Sequence, residues 1–264
     1  MTARAFLLRG LLAGLLAGFA TFLVAHQVGE PSVERAVALE NAPAPNSGSA
    51  AHDEPAGGHT AHTHSDRGTT VSRGNQRTWG LLTGTVAVGV ALGGIIALVA
   101  AGVVGRLGRL TPGQSTAVIT LVGFVAFALV PFLKYPANPP AVGSADTIGS
   151  RTGYYFLFVV ISVVTAVAGT VLASRLWERW GAYAAVVSGT GLYLVVMVVA
   201  GVLMPTVNEV GDFPADTLWF FRRASVLTLA TMWAVIGVAL TGLVGRLHRE
   251  TSAVTARREL AASL

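Results

Sequence analysis

The sequence predicts an all-α protein, a polytopic transmembrane helix bundle of about six helices (five if the first is cleaved or miscounted), and three observations predict it. Of the 264 residues, 53% are hydrophobic and 12% are charged, with a mean hydropathy of +0.63, whereas an ordinary soluble domain carries about 25% charged residues. Six windows meet or approach the ~20 apolar residues that a helix needs to cross a ~30 Å hydrocarbon core. The charges stand at the ends of these windows, so the pI near 10.2 reflects membrane anchors and not a nucleic-acid-binding patch. Lipid is the expected environment, and nucleic acid is not an expected partner. With no cysteine in the chain, disulfides, thiolate metal sites, iron–sulfur clusters and thiol nucleophiles are excluded.

In chain order the windows are 5–25, 79–105, 115–133, 154–173, 183–204 and 224–244. Each must be helical, because in lipid a segment has to satisfy its own backbone N–H and C=O groups. The first follows Arg4 and includes Arg9, so it reads either as a membrane helix or as a secretory signal cut after Ala25. Gly10, Gly14 and Gly18, spaced by four, form a small-residue stripe suited to close helix packing and favour the helix. The second window is long enough to tilt, and the third is the shortest. The second, fourth and sixth run into Arg106-Leu107, Arg175-Leu176 and Arg246-Leu247, which read as anchors at one membrane face.

Alternate connections differ in charge. One side holds ten basic and three acidic residues, a net of +7, and the other eight basic and ten acidic, a net of −2. By the positive-inside rule both termini are expected in the cytoplasm. The chain then divides into a first transmembrane helix (1–25), an external loop (26–78), a five-helix transmembrane region (79–247) and a cytoplasmic tail (248–264).

Candidate chemistry lies in the external connections. In the first, residues 30–40 read as a short helix, with Pro31 suited to its first turn. His26, Glu30 and Glu34 recur every four residues and share one face if the first helix continues, a continuity that Pro31 is expected to disturb. Residues 41–75 are rich in Ala, Pro, Gly, Ser, Thr and His, which predicts a flexible segment. Within it His52, His59, His62 and His64 lie beside Asp53, Glu54 and Asp66, donors suited to Co, Ni, Cu or Zn, although the spacing fits no closed zinc motif.

Residues 131–140 pack four prolines, including Pro136, Pro139 and Pro140, around Lys134, Tyr135 and Asn138, a composition suited to a rigid plug or gate. A third connection carries Glu209, Asp212 and Asp216 and enters Trp219, Phe220, Phe221, Arg222 and Arg223. The acids are candidate oxygen ligands, and Trp219 with both arginines is expected near the external surface. The three connections are expected to form one mouth, with Glu30, Glu34, Glu209, Asp212 and Asp216 drawing cations to it.

Three stretches resemble the CbtA family of predicted cobalt transporter subunits. They are residues 27–40 with Glu30-Pro31, residues 131–142 with the following Thr147-Ile148 and Arg151, and Phe213-Pro214-Ala215-Asp216 leading to Leu218-Trp219 and Arg222. The resemblance runs from the first helix to the last, and Lys134-Tyr135-Pro136-Ala137-Asn138-Pro139-Pro140 is its most distinctive piece. It implies about five helices, a place in the bacterial cytoplasmic membrane, cobalt uptake tied to cobalamin synthesis, and a small partner, CbtB, with one helix and a histidine-rich tail. The histidines at 52–64 are outside that family pattern.

The expected function is therefore a membrane subunit of a transition-metal uptake system, cobalt by resemblance, with a divalent metal ion as cargo and no organic cofactor. Residue chemistry alone does not select cobalt, since nitrogen and oxygen sites generally favour Ni and Cu. The alternatives are a scaffold or assembly protein without its own pathway, and a membrane-embedded enzyme. The enzyme reading finds no HExxH, GxSxG or phosphate loop in the sequence.

Overall fold

The structure, a computed structural model, describes residues 2–42, 72–108 and 110–263. His52, His59, His62 and His64 lie outside the described residues, as does Arg109. Among the described residues all regular structure is helical, and five helical runs are long and apolar enough to cross a membrane.

Helix α1 spans Ala3–Glu40 and begins on Thr2, whose hydroxyl accepts the Ala5 N–H at 3.3 Å. The expected interruption at Pro31 does not occur. The helix widens into a π turn over Ala25–Gly29, where the Glu30 N–H reaches the Ala25 carbonyl. Pro31 has no N–H and its ring crowds the carbonyl four residues back, so a wider turn just before it accommodates both defects. Helix α3, Pro112–Lys134, uses the same device, with a π turn at Phe124–Leu129 just before Pro131. It starts on a capping box in which Thr111 and Gln114 satisfy each other's backbone N–H.

Helix α2 spans Arg73–Val103 and runs antiparallel to α1. The predicted glycine stripe is the seam between them: Gly10 faces Gly93, Gly14 faces Gly89 and Gly18 faces Val86. A Cβ at Gly14 would lie 2.1 Å from the Gly89 carbonyl oxygen, so the two backbones touch directly.

The run Ala145–Leu203 is one of these five, but it is broken at one residue. Gly181 has φ 80° and ψ 170°, a conformation essentially confined to glycine, and it separates arms 148–180 and 182–203. These arms, α4 and α5, fold against each other: Ser162 and Tyr193 share a hydrogen bond of 2.8 Å, and Gly169 abuts Gly189. A straight helix of 59 residues would be nearly three times as long as the hydrocarbon core is thick, at ~1.5 Å per residue. The hairpin resolves this by dividing the run into two helices, which correspond to the separate windows at 154–173 and 183–204. Helix α6, Ala215–Ala262, is continuous, and its residues 249–262 are exposed.

Two buried clusters hold the helices together. The larger joins Phe6, Ala13 and Ala17 of α1 with Ile96, Ala97 and Ala100 of α2 and Trp233, Ile236, Leu240 and Val244 of α6. The smaller joins Ala126 of α3 to Phe158 and Ala166 of α4 and Tyr193 and Met197 of α5. Helix α3 contributes to both, Ala128 reaching the larger, and so links the halves. The outer faces are apolar, with Leu8, Leu12, Leu16, Phe19 and Leu23 of α1 and Val160, Val164, Val167 and Val171 of α4 exposed. Such faces suit lipid as solvent.

Candidate functional site

At the bundle end opposite the Arg-Leu pairs, the connection after α3 is tied by side chains to the connection after α5 and to the start of α6. The proline-rich segment leaves α3 at Lys134, whose ammonium donates to the Met204 carbonyl at 3.1 Å and sits 5.5 Å from the Tyr135 ring centroid. Tyr135 donates its hydroxyl to the Pro205 carbonyl at 2.8 Å and presents its ring edge-on to Phe158. Burial, and then the neighbouring Tyr154, push the Tyr135 phenol up from its ordinary value. Asn138 accepts a 3.1 Å hydrogen bond from Arg222 of α6, and Pro139 is buried beside it while Pro136 and Pro140 are half-buried.

The turn that follows needs unusual backbone, with φ 67° at Ala141 and 105° at Gly143. A Cβ at Gly143 would lie 2.2 Å from the Arg151 guanidinium, so glycine satisfies both the dihedral and the space. Arg151 donates to the Ser144 carbonyl at 3.1 Å and faces Glu209 at 3.4 Å. Glu209 accepts from the Ser144 N–H at 3.1 Å and the Thr147 hydroxyl at 2.9 Å. These hydrogen bonds, with a smaller contribution from Arg151, hold the Glu209 carboxyl below its ordinary value, against a weaker upward effect of burial. One carboxylate thus latches the connection after α5 to the start of α4.

The extension of α1 is clamped separately. Because the helix continues through Pro31, His26, Glu30 and Glu34 do share a face, and that face meets the first turns of α2. Glu30 pairs with Arg73 at 2.8 Å with its side chain only 10% exposed, Glu34 pairs with Arg77, and His26 Nδ1 lies 3.1 Å from the Arg77 carbonyl. His26 also stacks on Phe22.

A cavity of about 660 Å³ opens between these parts. Of the residues singled out from the sequence, Glu30, Lys134, Tyr135, Pro136, Asn138, Arg151 and Arg222 line it. Glu209 and Asp212 instead flank a second, outer cavity of about 540 Å³ beside Gly143 and Ser144. Asp216 is exposed and accepts the Thr217 N–H at 2.7 Å at the start of α6, and Trp219 is 65% exposed. Among the described residues no three His, Asp or Glu side chains gather into a group that could hold a metal ion.

Arg222 and Arg223 differ from their expected common position at the surface. Arg223 is exposed above the Phe220 ring, at 4.9 Å, whereas Arg222 is half-buried on the cavity wall and its Nε is fully buried without a partner among the described residues. The sequence reading also missed Thr152, Tyr155, Ser225 and Thr228, which line the cavity. Their signal is spacing: Ser225 and Thr228 follow Arg222 at intervals of three, placing all three on one side of α6. Arg73 and Arg77 were missed because 43 residues separate each from its acid.

The model of a family described as "Probable cobalt transporter subunit (CbtA)" matches residues 3–245 of the chain. No curated protein and no solved structure matches it.

Proposed function

The chain belongs to the CbtA family of probable cobalt transporter subunits, and from that membership we propose that it is the membrane subunit of a cobalt uptake system. The observation that carries this reading beyond the family description is the joining of α1, the Lys134–Asn138 segment, the start of α4 and α6 around one cavity at one end of the bundle. A subunit that admits a solute needs such a shared entrance, whereas a scaffold has no use for one.

In this proposal the cavity end faces outward and both termini lie in the cytoplasm, supported by the Arg-Leu anchors and the +7 to −2 charge difference. A cysteine introduced at Ser65 should react with an impermeant reagent added to intact cells, on a background without native cysteine. Protection of that cysteine would reverse the orientation.

The metal first meets Asp212, Asp216 and, as a weak collector, His52, His59, His62 and His64. Glu209 reaches it only by releasing its latch, and Glu30 and Glu34 only by giving up Arg73 and Arg77, with His26 beside them. These pairs therefore act as gates, together with Lys134, Tyr135, Pro136, Asn138, Pro139, Pro140 and Arg151, while Trp219 and Arg222 set the position of α6. A small, single-helix, histidine-rich subunit like CbtB is the proposed partner.

Uptake of labelled cobalt and nickel tests the reading in cells with the gene, without it, and with it but without the partner. Cobalt accumulation should require the gene, and deletion of residues 51–66 should lower it chiefly at low metal, as loss of a weak collector would. Unchanged cobalt accumulation without the gene would leave the scaffold reading in place.

A further inference from the structure

The cavity wall carries two cations that no carboxylate balances among the described residues. Glu30, Lys134, Arg151 and Arg222 are its charged lining residues. Glu30 is paired with Arg73, and Arg151 with Glu209. Lys134 and Arg222 remain, held only by neutral groups, the Met204 carbonyl and the Asn138 side-chain oxygen. Neither has a carboxylate partner among the described residues.

Two partly buried cations with neutral partners are costly, because protein dipoles replace only part of the water each has lost. That cost is recovered if an anion arrives from outside. The buried Nε of Arg222 is an unused donor, and a guanidinium presents its donors in the planar fork that matches a carboxylate or phosphate. The ammonium of Lys134 adds a point charge. Hydroxyl-bearing Thr152, Tyr155 and Thr228 share the wall with apolar Leu81, Phe132 and Leu229. The volume of about 660 Å³ is that of a small-molecule site, far more than one ion fills.

We propose that this cavity is a binding site for an oxyanion, a carboxylate or phosphate group carried on a larger organic body, with Arg222 and Lys134 as its charged contacts. The group has two sources, an organic acid in solution or the headgroup of an anionic lipid entering from the side. The inference rests on the charges of the cavity and not on the cobalt reading, and its test uses no metal.

Purified full-length protein in nanodiscs of zwitterionic phosphatidylcholine is titrated with citrate and, separately, with inorganic phosphate, and a third arm compares nanodiscs containing phosphatidylglycerol. Saturable binding and a raised thermal midpoint are expected in at least one arm. Citrate or phosphate binding identifies a soluble source, and an effect confined to phosphatidylglycerol identifies the lipid. Arg222→Gln and Lys134→Gln should each weaken the effect about tenfold or more, the scale of one charged hydrogen bond. Arg223→Gln should leave it unchanged, because that side chain is exposed and outside the cavity. Should Arg222→Gln fail to fold, Lys134→Gln and the wild-type titrations still decide. Absence of binding in all arms with folded wild-type protein, or equal affinity in the wild type and the folded variants, overturns the proposal.

Discussion

Gly14→Val is expected to prevent stable assembly of the bundle. The first atom added at Gly14 would lie 2.1 Å from the Gly89 carbonyl oxygen and 2.8 Å from the Val90 Cα. Both are backbone atoms and cannot rotate aside. The helices would have to separate, and separation at Gly14 also opens the contacts at Gly10 and Gly18 on the same stripe. Close approach of small residues is what holds membrane helices together, since lipid competes equally for apolar side chains. Ordinary overpacking costs about 1–3 kcal/mol, and a clash of backbone with backbone along a whole seam belongs at or above the top of that range. The comparison is Gly84→Ala on the same α2 helix, where an added Cβ meets nothing within 4 Å. There the better helix propensity of alanine should hold or raise stability by up to about 1 kcal/mol. Thermal unfolding in detergent and the yield of monodisperse protein report both. A wild-type midpoint in Gly14→Val would show that α1 and α2 do not meet along this seam.

Glu209→Ala is expected to cause the largest functional loss that leaves the bundle intact. The substitution removes the acceptor for the Ser144 N–H and the Thr147 hydroxyl and the partner of Arg151 together. The turn around Gly143 then keeps the Arg151–Ser144 hydrogen bond but loses its tie to the connection after α5. Cobalt uptake should fall at least about tenfold, the scale of losing a charged hydrogen bond at an entrance, with normal amounts of protein in the membrane. Glu209→Gln should lie between, since an amide oxygen still accepts hydrogen bonds and only the charge is lost.

The pH dependence of the latch has a definite sign. The folded structure holds the Glu209 carboxyl below its ordinary 4.5, so the latch contributes fully above that value. It persists as the pH falls below 4.5 and is lost as the pH falls through the folded value. Protease cleavage of residues 138–146 should therefore stay slow in the wild type through pH 4.5 and rise only below it, while Glu209→Ala should be cut readily at every pH. Equal cleavage and equal uptake in wild type and Glu209→Ala would mean that the carboxylate does not hold the turn.

The long apolar helices and the glycine stripe were legible in the sequence because each is a local property. A membrane helix satisfies its own backbone, so hydropathy over ~20 residues marks it without knowledge of its neighbours. The break between windows at 173 and 183 likewise announced the α4–α5 hairpin, whose corner is the non-helical Gly181. Pro31 shows where local reasoning stops: the rule that proline interrupts a helix is sound, but a π turn absorbs it, and so the α1 extension survives to carry Glu30 and Glu34.

What only the tertiary structure decided is which charge meets which. From the sequence, Glu30 and Glu34 read as open oxygen ligands and Arg222 as a surface anchor. In the fold both acids meet arginines of α2, while Arg222, 84 residues from Asn138, turns onto a cavity wall with its Nε unpaired among the described residues. Hydropathy places a residue along the membrane normal, but it says nothing about which helices are neighbours. A charge near a helix end takes its role from the charge on the neighbouring helix, and that is set by packing.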